Sequence, residues 1–180
     1  IRLSGPSFST NYVELTHFCA NYDAFQDMPF SQGLTYVAAD ALFPNSKFIL
    51  TERTPDAWFH SMCNFHKKIW KLDDLSALTE KDVLEKFNYL YPGYLHKTLT
   101  RFLSTFKGNS REVNWDKLYD FDFYTDMYKR RNEEIKRYFM NASEKLLVID
   151  VTKENTTRSI CDFLNIPLEF VIDMPHSNKT

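Results

Sequence analysis

The sequence predicts an α/β fold in three layers, a central parallel sheet with helices on both faces. Three observations carry this reading. Two short runs, "KFILTE" at 47–52 and "KLLVIDV" at 145–151, have continuous apolar centres, as strands buried on both faces of a parallel sheet do. Each is followed within a few residues by a helix signal. Strands that alternate with helices in this way build parallel sheets whose carboxyl ends share one edge, where ligands bind. The 180 residues suffice for a real core, so residues 1–180 read as a single domain.

Composition narrows the function. Hydrophobic residues make up 43% and charged residues 26% of the chain, a globular balance. The formal net charge of −2 supplies no basic field, which argues against nucleic acid as a partner. No apolar run reaches the roughly 18 residues of a membrane span. No signal peptide is expected, and the chain begins at Ile1 rather than at methionine, so an upstream segment is expected. Cys19, Cys63 and Cys161 are too few and too scattered for a disulfide framework, which fits reduced thiols and a cytoplasmic setting over a secretory lumen. Asn141 and Asn155 head glycosylation-type triplets whose use the sequence does not decide.

The elements follow in order. Tyr22–Gln26 reads as a short strand ended by Asp27-Met-Pro29. A helix over 32–43 places Leu34, Val37, Ala38, Ala41 and Leu42 on one face. The strand 47–52 leads into a helix over 55–70, with Thr54 as N-cap, Pro55 at the first helical position and Trp58, Met62, Phe65 and Ile69 as its core stripe. Thr79 and Asp82 have capping-box spacing. A helix is expected over 92–106, then a loop at Lys107-Gly-Asn-Ser. Tyr124, Met127, Tyr128, Ile135, Tyr138 and Phe139 give a long helix over 123–140 its 3.6-residue period. The strand 145–151 and a helix over 156–164 complete the order. Residues 71–120 read as a helical insert on the acceptor side.

Candidate site residues sit where strands end. Arg53 follows the apolar strand, and its guanidinium offers a rigid fork of donors suited to phosphate or sulfate. The helix that begins at Pro55 points unpaired N–H groups at the same place. Ser61 lies eight residues on, about two helical turns into that helix. The same spacing is met by a surface arginine and an ordinary helical serine. Asp27, fixed by Pro29, has the chemistry of a general base toward a hydroxyl, or of a turn-forming aspartate. The tail "MPHSNKT" carries His176 and Lys179, either closing over an anion or ending the chain. Tyr89, Tyr91, Tyr94 and His96 line an acceptor pocket or pack the core. The histidines show no metal spacing, and no metal is assigned. None of the four glycines builds a Walker-type or dinucleotide loop, and no serine sits in a nucleophile elbow.

Taken together, "YDAFQDMPF", "LFPNSKFILTERTPDAWFHSMCNF", "YFMNASEKLLVIDVTKENTTRSICDFLNIPLEF" and "MPHSNKT" resemble, in order, successive blocks of the sulfotransferases that use 3′-phosphoadenosine 5′-phosphosulfate (PAPS). The blocks cover roughly half the chain, and the strand–Arg–x7–Ser–helix block is the most specific. The resemblance implies a P-loop-like sulfotransferase fold. It implies that Arg53 and Ser61 hold the 3′-phosphate, with Lys179 a further nucleotide contact. It also implies that Asp27 takes the proton of a hydroxyl or amine on a small-molecule or glycan acceptor, during in-line sulfuryl transfer that needs no metal. Family members begin with a strand and a Lys-x-Gly-Thr-Thr/Ser loop that wraps the 5′-phosphosulfate. "RLSGPSFST" has no lysine and the wrong spacing, so that strand and loop are expected upstream of Ile1 or in a stretch left out of this chain; loss of catalysis is the remaining explanation. A nucleotide or small-molecule kinase of similar topology and a non-catalytic binding domain of this fold remain as alternatives. The acceptor and the oligomeric state are not legible.

Overall fold

The computed structural model describes residues 12–27, 29–87, 89, 91–153 and 155–174. It divides into two compact units, Ile1–Lys47 and Phe48–Thr180.

In the first unit, helix α1 spans Tyr12–Cys19 and α2 spans Thr35–Leu42. The segment Tyr22–Gln26 is not a strand but an irregular link. Its aromatic residues explain why. Tyr22 and Phe25 both pack on Phe18, with centroids 5.4 and 5.6 Å away, and Phe25 packs on Phe30 at 4.6 Å. Residues three apart point to opposite faces of a strand, so one aromatic cluster needs a turning backbone. Helix α2 starts three residues later than the periodicity suggested. Leu34 becomes its exposed N-cap, and the buried residues are Thr35, Tyr36 and Ala39.

In the second unit, β1 (Phe48–Thr51) pairs in parallel with β4 (Leu146–Ile149), Phe48 opposite Leu146 and Thr51 opposite Ile149. The chain therefore has an α/β architecture with a small parallel sheet formed from the two predicted strands. Their continuous apolar centres were expected to be buried throughout. Instead Ile49 and Val148 are 39% and 40% exposed, because the parallel sheet has two strands among the described residues and its faces are incompletely covered.

Helix α3 runs Pro55–Trp70, as predicted. Thr54 accepts the Ala57 N–H at 3.3 Å, and Pro55 supplies the first helical residue. The core residue of α3 is Phe59 rather than Phe65, which is 45% exposed. Phe59 joins Val83 of α4 (Glu80–Lys86), Leu95 and Leu99 of α5 (Tyr94–Phe102), Leu103, Leu118 and Tyr124 in one cluster. Trp58 and Met62 pack against it. The predicted capping box opens α4, with Thr79 and Asp82 exchanging hydrogen bonds.

The helix expected over 92–106 ends at Phe102. A hairpin follows, β2 (Ser104–Lys107) against β3 (Ser110–Val113). Its two-residue turn places Gly108 at φ +59°, the left-handed geometry that tight hairpins require. Asn114 locks the base, donating to the Leu103 carbonyl at 2.8 Å and the Thr105 hydroxyl at 3.0 Å. Helix α6 (Phe121–Tyr138) starts two residues early because Asp120 caps it, accepting the Phe123 N–H at 2.8 Å. Phe139 then packs, tilted, against Phe48 of the sheet at 4.7 Å. Helix α7 covers Thr156–Leu164, as predicted.

Candidate functional site at the carboxyl edge of the parallel sheet

The ends of β1 and β4 lie side by side, and the chain leaves each with chemistry in place. The Glu52 N–H extends the ladder one step, donating to the Ile149 carbonyl at 2.7 Å. Arg53 comes next, half-buried. Its backbone is held by a residue 75 positions away. The Tyr128 hydroxyl of α6 accepts the Arg53 N–H at 3.0 Å and donates to the Arg53 carbonyl at 3.4 Å. Tyr128 is held in turn by Trp58 of α3, with ring planes 15° apart and centroids 4.4 Å apart. Glu52 is tied to the same helix by Lys136 at 2.9 Å, an ion pair that raises the lysine's affinity for its proton. The strand end is thus anchored twice to α6.

The Arg53 guanidinium forms neither an ion pair nor a hydrogen bond with any other described residue. Its charge is nevertheless felt across the sheet. Asp150, the residue after β4, has its carboxyl held below the usual range, first by the Thr152 hydroxyl and amide and to a smaller extent by the Lys153 and Arg53 charges. The Thr152 hydroxyl and N–H donate to Asp150 Oδ1 at 2.6 and 2.9 Å. Buried Thr156 closes this turn, its Oγ1 lying 2.7 Å from the Lys153 carbonyl and 3.1 Å from that of Asp150.

Ser61 lies exposed on α3, on the strand–loop–helix unit that Arg53 opens. Seven residues separate it from Thr54, near two full turns, so both share one side of the helix about 10 Å apart along the axis. Asp56 and His60, exposed at the start of α3, pair at 3.3 Å. The Arg53 guanidinium, unpaired among the described residues, therefore stands at the positive end of the α3 dipole, a setting suited to an anion with several oxygens, and Ser61 lies about two turns farther along the same helix. A guanidinium and helix-terminal N–H groups are donors of the kind a phosphate takes.

Asp27 belongs to the first unit. It was expected at a strand end, but it sits in a turn at φ +57°, where its carbonyl accepts the Ser31 N–H at 2.8 Å. The irregular backbone before it removes the strand. Asp27 is exposed, and aspartate tolerates the left-handed region better than most residues. Lys179 and His176 lie outside the described residues. Tyr94 is buried and packs on Tyr91 at 5.2 Å, while His96 stacks on Trp115 at 5.3 Å and contacts Glu80 at 2.8 Å. Among the described residues no group of three or more His, Cys, Asp or Glu side chains is placed to hold a metal, and no helix is long and apolar enough to cross a membrane.

Sequence reasoning missed Tyr128, Lys136 and Asp150. Tyr128 was absorbed into the apolar period of its helix, and Lys136 lies off that period. Asp150 carried a signal that went unused: it follows a parallel strand directly, one of the positions where such folds bind ligands.

The family model for the sulfotransferase domain matches residues 6–180. No curated protein and no solved structure matches the chain. The family match spans nearly the whole sequence, and the chain belongs to the sulfotransferase domain family.

Proposed function

We propose that this chain binds PAPS and directs its sulfuryl group to a hydroxyl or amine on a small-molecule or glycan acceptor. The observation that carries the reading is the half-buried Arg53 at the head of α3. Its peptide is fixed by Tyr128, and its guanidinium is without a partner among the described residues. An arginine whose backbone is held this way leaves the chain in a fixed direction, and its donors meet no partner among the described residues. Arg53 and Ser61 would hold the 3′-phosphate, with Lys179 a further contact. PAPS supplies the activated sulfuryl group. Asp27 would accept the acceptor's proton, a role general bases fill with gains of roughly 10²–10⁴. The three-layer sheet and a cytoplasmic setting belong to the same proposal.

Transfer of radiolabelled sulfate from PAPS to a panel of phenols, alcohols, amines and glycans tests it, using the full-length protein with and without a metal chelator. The expected result is transfer that survives chelation. Phosphate transfer from ATP that is lost on chelation would instead establish the kinase alternative. Nucleotide binding with no transfer to any acceptor class would favour a binding domain.

A further inference from the structure

The contact between Tyr128 and Arg53 does more than join two elements. Glu52 and Arg53 are the two residues between the end of β1 and the Thr54 cap, and a linker that short has one main freedom, rotation of its peptides. The two hydrogen bonds from the Tyr128 hydroxyl engage the N–H and the carbonyl of Arg53. They fix both flanking peptide planes, and with them the direction in which the arginine leaves the backbone. Tyr128 itself is kept from turning by its stack on Trp58, and α6 is kept in place by Lys136 on Glu52 and by Phe139 on Phe48. A hydroxyl placed to hold a backbone at both ends is poorly explained by packing alone, which a phenylalanine would supply equally well.

We propose that Tyr128 is a positioning residue for anion recognition, setting nucleotide selectivity by holding Arg53 where it meets a 3′-phosphate. The proposal rests on the reading of Arg53 as the 3′-phosphate ligand. In this role Tyr128 makes no contact of its own with the nucleotide. It acts through the arginine, so its loss costs affinity only for ligands that carry the group Arg53 meets.

Tyr128→Phe keeps the ring and the Trp58 stack and removes only the hydroxyl. Wild type, Tyr128→Phe, Arg53→Ala and the double variant of the full-length protein are titrated with 3′-phosphoadenosine 5′-phosphate and with adenosine 5′-monophosphate. The ratio of the two affinities is the readout, because partial unfolding lowers both alike and leaves the ratio unchanged. The expected result is a ratio reduced about five- to tenfold in Tyr128→Phe, the scale of one or two neutral hydrogen bonds. The double variant should match Arg53→Ala, since a residue that acts through Arg53 has nothing left to position. A wild-type preference for the 3′-phosphate that Tyr128→Phe retains in full would overturn the positioning role and leave the nucleotide reading intact. A wild type with no such preference would overturn both. A further loss in the double variant would show that Tyr128 meets the ligand directly, which also contradicts the proposal.

Discussion

The Tyr128 hydroxyl holds the Arg53 backbone from both ends, accepting its N–H at 3.0 Å and donating to its carbonyl at 3.4 Å. Through this contact the long helix α6 governs the turn between β1 and α3, although the two residues stand 75 positions apart. The turn that follows the apolar strand "FILT" is thereby held on the backbone side, while the Arg53 guanidinium has no partner among the described residues. Both properties favour recognition of a phosphate, and neither is needed to join a strand to a helix.

Asp150 lies near enough to Arg53 for the two charges to interact. Its carboxylate opposes an incoming anion. Asp150→Asn keeps an acceptor for Thr152 and removes the charge, so affinity for 3′-phosphoadenosine 5′-phosphate should rise about two- to fivefold, the scale of one partly solvated like-charge contact. Calorimetry checks this. Weaker binding would mean that Asp150 accepts a hydrogen bond from the nucleotide.

Asp27→Asn should lower turnover about 100-fold or more while leaving nucleotide affinity nearly unchanged, if the carboxylate accepts the acceptor's proton. The exchange is a clean one, because asparagine also tolerates the left-handed backbone at φ +57°. Sulfate transfer and binding are measured side by side. Turnover close to wild type would leave Asp27 as a turn residue.

The two phenylalanines of α3 should behave oppositely. Phe59 is buried and meets Phe121 and Tyr124 edge-on at 5.2 and 5.9 Å. Phe59→Ala is expected to cost about 3–5 kcal/mol in urea unfolding. Phe65→Ala, at an exposed position, should stay within about 0.5 kcal/mol of wild type. Equal losses would contradict the assignment of the core face.

Acid should weaken the fold through His66. Burial pushes its imidazole from 6.5 down to about 4. The neutral ring stacks on Trp70 and meets the Tyr119 hydroxyl at 2.9 Å through Nδ1. The unfolded chain takes up a proton near pH 6.5 that the folded chain refuses until about pH 4. Stability from this group is therefore fully present above pH 6.5 and is lost as pH falls from 6.5 toward 4. His66→Gln keeps an acceptor without titrating, so its stability curve should be flatter across that window. Parallel curves for the two proteins would show that His66 titrates normally in the fold.

Much of this was legible in the sequence, for reasons that can be named. Helix α3 was read to the residue because Thr54 and Pro55 satisfy two start rules at once, and α4 because Thr79 and Asp82 form a reciprocal cap. Strands β1 and β4 were found because runs of three and four consecutive apolar residues between polar ends leave few alternatives. Tyr22–Gln26 was misread because local composition favours a strand, whereas the Phe18–Tyr22–Phe25–Phe30 cluster is a tertiary preference. The helix at 92–106 was drawn too long because Gly108 acts on residues both before and after it, turning Ser104–Lys107 into a strand only once Ser110–Val113 lies opposite. Arg53 and Ser61 could be singled out because each is defined by its position along one strand and one helix. Tyr128 could not, because periodicity registers a tyrosine on an inward face without showing whether its ring or its hydroxyl matters. Pairing of that kind between distant residues is decided by the fold.

The most direct measurement is calorimetric titration of wild type and Arg53→Ala, in the full-length protein, with 3′-phosphoadenosine 5′-phosphate and with adenosine 5′-monophosphate. Wild type should prefer the nucleotide that carries the 3′-phosphate. Arg53→Ala should lose about 2–3 kcal/mol for that ligand, the scale of a charge-assisted hydrogen bond together with an anion left unpaired, and should bind the monophosphate as wild type does. Equal affinity of wild type and Arg53→Ala for 3′-phosphoadenosine 5′-phosphate would remove Arg53 from the site and contradict the assignment of this sheet edge to the nucleotide.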